Sequence, residues 1–81
     1  MKARVFVSLK STVLDPQGQT VRSALQGLGF SAIEDVRQGK FFDIAIAGGV
    51  SPEQARKDIE TAAHDVLANP VIEEYRVELL D

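Results

Sequence analysis

General acid–base work in this chain would fall first to His64, its one histidine. His64 lies with Glu53, Lys57 and Glu60 at three- or four-residue spacing, where opposite charges attract across a helical turn. That pattern reads as a solvated helix face. A general base also needs a partner within hydrogen-bond reach, and no serine or carboxylate is evidently spaced to supply one. The acids Asp35, Asp43, Glu73 and Glu74 stand on extended segments with nothing to pair them, as charged residues do where they only keep a surface wet. Metal binding would call for His-x-x-His or a His/carboxylate cluster, and neither occurs. With no cysteine in the sequence, disulfides, thiolate nucleophiles and thiolate metal ligands are excluded.

Phosphate is the next candidate ligand, because a helix N-terminus offers free N–H groups. The loop before Pro16 has no glycine, and Asp15 places a negative charge where an anion would sit. The loop before Pro52 has Gly48-Gly49 but no Lys or Arg to hold a phosphate, so neither is a P-loop. Gly39-Lys40-Phe41-Phe42 shares a glycine and an aromatic with the RNA-recognition sheet motif. A formal net charge of −3 opposes nucleic-acid binding, which needs phosphate-neutralising Lys and Arg. No apolar run approaches the ~18 residues of a membrane span, and no signal-peptide pattern is present. The expected setting is the cytoplasm, with no nucleic-acid or membrane partner.

These residues need elements to position them. Eighty-one residues with 44% hydrophobic and 26% charged content read as one small globular domain, 1–81, whose core is marginal. Residues 2–10 alternate, with Ala3, Val5, Val7 and Leu9 on one side. Phe6 falls on the other side, among polar residues. Asp15 is a good N-cap and Pro16 fits the first helical position. Val21, Ala24, Leu25 and Leu28 recur at helical spacing up to Gly29, a C′ glycine. Ser51 caps a second helix, with Pro52 at its start and Gln54 completing a capping box. Ala55, Ile59, Ala62, Ala63, Val66 and Leu67 form its apolar stripe. Asn69-Pro70 breaks that helix, and a strand is expected from Val71 to Leu80, with Val71, Tyr75, Val77 and Leu79 alternating with Glu74, Arg76 and Glu78.

Residues 32–47 are the anomaly. Phe42, Ile44 and Ile46 share a face with Val36, and Phe41 lies opposite. As one strand the run would span about 50 Å, whereas a compact domain of this length has a radius of gyration near ~12 Å. Either the run turns at Gln38-Gly39-Lys40, or it overhangs and pairs with another subunit. Gly39 suits a hairpin turn or a bulge. Arg37 and Lys40 flank it as candidates for contact with a neighbour. The expected fold is α+β: a two-layer sandwich in β-α-β-β-α-β ferredoxin-like order, with a long bent central β segment and two helices on one sheet face.

Three separated stretches agree with one family. They are Leu14-Asp15-Pro16-Gln17-Gly18, Val36-Arg37-Gln38-Gly39-Lys40, and Leu67-Ala68-Asn69-Pro70-Val71-Ile72-Glu73-Glu74-Tyr75. In order and spacing they resemble PurS, the small subunit of phosphoribosylformylglycinamidine (FGAM) synthase. The chain departs from the family's usual pattern at Lys10-Ser11, where Lys-Pro is common, and near His64-Asp65, where a cysteine is common.

The resemblance implies a non-catalytic bridging subunit in de novo purine biosynthesis. The complex would convert formylglycinamide ribonucleotide (FGAR), glutamine and ATP to FGAM. PurQ, a glutaminase, would release ammonia, and PurL, a synthetase, would use ATP and magnesium. This chain would carry no cofactor, self-associate as a dimer or tetramer, and dock the two. Candidate interface residues are Phe6 and Phe41 on the exposed strand faces, with Arg37, Gly39 and Lys40 at the bend. Asn69, Tyr75 and Arg76 join them at the last joint and strand. Two readings of other classes stand beside this one. One is a small-molecule-binding regulatory module on a ferredoxin-like sheet. The other is an acylphosphatase-like enzyme, which would need a glycine-rich anion loop with an Arg that residues 9–15 lack.

Overall fold

The structure, a computed structural model, describes residues 1–80. Its order is β1 (Lys2–Leu9), α1 (Pro16–Gly27), β2 (Gly39–Ala45), α2 (Pro52–Ala62), a π-helical turn (Ala63–Leu67) and β3 (Glu73–Leu80). The strands form one antiparallel sheet in the order β2-β1-β3. The alternation of β1 sends Ala3, Val5 and Val7 inward to complete burial or nearly so. Ile59 and Ala63 close over them from α2 and the π turn, and Ala68 completes the cluster. Phe42, Ile44, Tyr75, Val77 and Leu79 flank it from the outer strands, half-buried.

Local chemistry explains the ends of α1. Asp15 caps it by accepting the Gly18 N–H at 2.9 Å. At the other end Gly29 takes φ +97°, the left-handed conformation that glycine adopts without penalty. Gly29 N–H then reaches Gln26 O at 3.0 Å, and Phe30 N–H reaches Leu25 O at 3.1 Å, the paired bonds of a Schellman motif.

The middle run makes no hairpin. Only Gly39–Ala45 is strand, and residues 33–38 run as irregular backbone beside α1. Among the described residues the α+β fold has three strands and two helices, so one strand stands where the β-α-β-β-α-β order calls for two. The two helices also do not share a sheet face: α1 makes no substantial packing contact with the sheet or α2. It projects beyond the sheet together with residues 33–38, the return segment, so the molecule measures 51 × 27 × 14 Å with a radius of gyration of 16.1 Å. The length argument holds: the run is neither one long strand nor a hairpin, since its first part leaves the sheet as irregular backbone beside α1.

Three local expectations need correction. Gln54 does not complete a capping box: Ser51 accepts the Gln54 N–H, but the Gln54 side chain donates to Asp58 at 2.8 Å. The α2 stripe does not continue to Val66. Ala68 N–H bonds Ala63 O, five residues back, and the wider π turn swings Val66 out to 77% exposure. Finally, β3 begins at Glu73 rather than Val71. Asn69 Oδ1 accepts the Val71 N–H at 3.1 Å, and Asn69 O accepts those of Ile72 and Glu73. A turn thus intervenes, because the Asn side chain competes for the backbone donors that a strand would use.

Candidate subunit interface

Two surfaces are left uncovered. The first is the outer sheet face, which no helix covers. β1 pairs Phe6 with Phe41 on one side and Arg76 on the other, and pairs Arg4 with Asp43 and Glu78. Cross-strand pairing thus brings together Phe6, Phe41 and Arg76. The Arg76 guanidinium lies 4.3 Å from the Phe6 ring centroid, and that of Arg4 lies 4.8 Å from Phe41. The two rings stand 6.1 Å apart at 47°. Such stacking places a positive plane on the electron-rich ring face. Each arginine also has a carboxylate. Arg4 Nε donates to Asp43 Oδ1 at 2.7 Å and its Nη2 to Oδ2 at 3.4 Å, and Arg76 pairs with Glu78. The Arg4 hydrogen bond holds the Asp43 carboxyl below the usual range, and Asp43 in turn raises Arg4. Phe41 remains 56% exposed. The result is a surface of stacked aromatic rings and guanidinium groups on the outer sheet face.

The second surface is the arm formed by α1 and the return segment. Three side chains of α1 tie the return segment to it. Gln26 donates to Ile33 O at 2.9 Å, Arg22 to Glu34 O at 2.6 Å, and Gln17 accepts from the Gln38 side chain at 3.0 Å. One stripe of the arm is apolar and open: Leu14 and Leu28 are about three-quarters exposed, and Val21 and Phe30 are exposed as well.

Between the two surfaces lies a joint, at the sheet end where β1 stops and β2 and β3 start. Asp15 is nearly out of solvent there. Its second oxygen accepts the Gln38 N–H at 2.7 Å. The N–H groups of Gly18 and then Gln38 pull the Asp15 carboxyl below its ordinary value, and burial opposes them. Arg37 Nη2 donates to Lys10 O at 3.0 Å and Val13 O at 2.9 Å. Gly39 lies so close to β1 that a Cβ would fall 2.7 Å from Val7 O. It is therefore a close-approach glycine and neither a hairpin turn nor a bulge. Beside it opens a depression of about 300 Å³ edged by Ser8, Gln38, Lys40 and Glu73.

The eight candidate residues therefore separate into groups. Phe6, Phe41 and Arg76 meet on the outer face. Arg37, Gly39 and Lys40 meet at the joint, where Arg37 serves backbone carbonyls of its own chain. Asn69 builds the turn before β3 at the same sheet end, since Lys10 N–H bonds Ile72 O at 2.9 Å. Tyr75 faces inward against the core, where burial first, and Glu60 after it, raise its phenol. Sequence reasoning passed over Arg4, and it read Asp43 only as a stray acid. Their signal was alternation: each stands two residues from a phenylalanine on the same strand face. Asp15 was read as a cap alone, because its second bond crosses between distant segments.

His64 and Asp65 bond side by side at 2.7 Å on the exposed π turn. Among the described residues no group of His, Cys, Asp or Glu could hold a metal, and no helix is long and apolar enough to cross a membrane.

Residues 2–81 match the model of the family described as PurS: phosphoribosylformylglycinamidine (FGAM) synthase. The chain belongs to the PurS family. It is 39% identical over 82 residues to the phosphoribosylformylglycinamidine synthase subunit PurS of Bacillus subtilis, covering 96% of this chain and 90% of that one. It is 38% identical over 78 residues to the PurS subunit of Methanocaldococcus jannaschii, covering 96% and 93%. The solved structure of B. subtilis PurS superposes with a TM-score of 0.85 at 39% identity, covering 99% of this chain and 98% of that one. PurS is thus the family of a subunit of a ligase complex in purine biosynthesis, and this small α+β chain shares its length and fold.

Proposed function

We propose that this chain is the bridging subunit of FGAM synthase, docking a PurQ glutaminase to a PurL synthetase so that ammonia passes between them. The complex would convert FGAR, glutamine and ATP to FGAM in the cytoplasm. PurL would hold ATP and magnesium, and this chain would bring no catalytic residue or cofactor. The observation that carries this reading is the arm. A chain with so small a core leaves the apolar stripe of Leu14, Val21 and Leu28 in water, at a cost of about 25 cal/mol per Å² of apolar surface. A second copy would cover it, making a dimer in which the arm of each subunit lies on the other. The outer face, with Phe6, Phe41 and Arg76, would remain for the catalytic subunits or for a second dimer. Lys40 and Asn69, at the sheet end by the joint, complete the candidate interface, whereas Tyr75 lies inward against the core.

The physical gain from a bridge is proximity. Ammonia released into water at neutral pH is mostly protonated, and ammonium has no lone pair for attack. Two sites held together, with water kept out between them, deliver the free base without that loss.

The test is to reconstitute PurL and PurQ with and without this chain. FGAM formation is measured with glutamine and, separately, with ammonium salts as nitrogen source. Omission is expected to abolish glutamine-dependent synthesis while ammonia-dependent synthesis by PurL persists. Equal loss of both would sink the bridging role. Sedimentation of the chain alone tests the dimer.

A further inference from the structure

The arm is connected to the sheet at two crossings, and each is tied to the other. The chain leaves β1 through residues 10–15 and returns through Arg37 and Gln38. Asp15 takes one N–H from each side: Gly18 of the arm on Oδ1, and Gln38 of the return segment on Oδ2. Arg37 closes the same gap from the opposite direction, onto Lys10 O and Val13 O. The fit is close, since a Cβ on Gly18 would stand 2.4 Å from Val36 O. No substantial packing of α1 on the sheet or α2 supports the arm's angle.

We infer that Asp15 and Arg37 form a pin that sets the direction in which the arm leaves the sheet, and that both act as positioning residues for subunit assembly. The inference rests on the dimer reading above. Capping alone does not need a carboxylate. Ser or Asn caps a helix about as well as Asp, with one oxygen. The second oxygen of Asp15 reaches across 23 residues of chain. Because both oxygens belong to one rigid plane, the two amides they accept are fixed relative to each other. Direction matters at the tip. α1 has 12 residues and is therefore about 18 Å long, so a 10° error at the joint moves Leu28 by about 3 Å. Interdigitated side chains do not tolerate such a displacement.

The experiment uses Asp15→Asn and Asp15→Ser, which keep the cap and lose the second acceptor, with Arg37→Met as an independent variant. Because the chain has no cysteine, Ser31→Cys and Lys57→Cys give one clean spin-label pair between arm and body. Electron–electron resonance is recorded on labelled chain diluted into unlabelled chain. One narrow distance is expected in the parent. A broadened one is expected in all three variants, with unchanged helix content by circular dichroism. The dimer dissociation constant should rise roughly tenfold or more, the scale of one lost hydrogen bond to a charged group. A narrow, unshifted distance with an unchanged dissociation constant would overturn the inference. A broadened distance with unchanged dimerisation would overturn its assembly half. Loss of the sheet in both Asp15→Asn and Arg37→Met would overturn it too, by making the pair a requirement of folding. A parent chain that stays monomeric would instead defeat the dimer reading, while the distance measurement would still judge the pin.

Discussion

In the sheet body, β1 is hydrogen-bonded to a strand on each side, and Val5 and Val7 lie under α2 and the π turn. In the arm, Gly18 is the only buried residue of α1, and side chains bonded to backbone carbonyls hold the return segment in place. The body is stabilised by apolar burial, which is strong and without direction. The arm is held by hydrogen bonds, which are weaker in net terms but directional. A region built this way keeps a shape without a core of its own. Its unburied apolar stripe is then available to another chain.

The comparison breaks most visibly at Val5. Val5→Asp buries a charge with no partner, a change costing several kcal/mol. The chain is expected to lose its cooperative unfolding transition by circular dichroism. A wild-type midpoint would show that the body is not the seat of stability.

The two glycines of α1 sharpen it next. Gly18→Ala should destabilise by about 1–3 kcal/mol, the scale of overpacking, because its neighbours Val36 O and Asp15 Oδ2 stand 2.4 and 2.7 Å from the new Cβ. That outweighs a helix-propensity gain of about 1 kcal/mol. A Cβ on Gly27 would meet nothing beyond its own helix within 4 Å, so Gly27→Ala should stabilise by up to about 1 kcal/mol. Amide hydrogen exchange should register the Gly18 change in the arm before β1. Equal effects of the two substitutions would count against the joint.

Acid should loosen the arm first. The Asp15 carboxyl sits below its ordinary value of 3.8, so its contribution is fully present above that value. It is lost as pH falls through the lower folded value. In an NMR titration below pH 4, exchange broadening is expected at Gly18 and Gln38 ahead of Val5 and Val7, and Asp15→Asn should remove that difference.

The smallest effect belongs to the outer face. Phe41→Ala loses an exposed cation–π contact, about 0.5–1 kcal/mol. It should barely move the denaturation midpoint, while it lowers retention of PurL or PurQ in a pull-down. A large loss of stability with retention unchanged would make the face part of the body.

The body was largely legible in the sequence, because its signals are periodic. Ala3, Val5 and Val7 alternate, Pro16 and Pro52 mark helix starts, and Gly29 closes α1. The failures fall where a side chain reaches across the chain or a turn changes pitch. Asn69 bonds Val71 N–H and so delays β3 to Glu73. The π turn exposes Val66, which a uniform helical period had placed inward. Of the candidate interface, Phe6, Phe41 and Arg76 converge as their strand faces require, but Tyr75 points into the core.

By itself the sequence determined the first strand and its inward face, the starts of both helices, the family, and the excess length of residues 32–47, because each follows from local propensity, period or motif. Only the tertiary structure decided that the excess length becomes an arm rather than a hairpin. It also decided that Asp15 joins two crossings and that Arg4 meets Phe41 and Asp43. Those are contacts between residues far apart in the chain, and their geometry follows from how β1 pairs on both sides, which no local pattern contains.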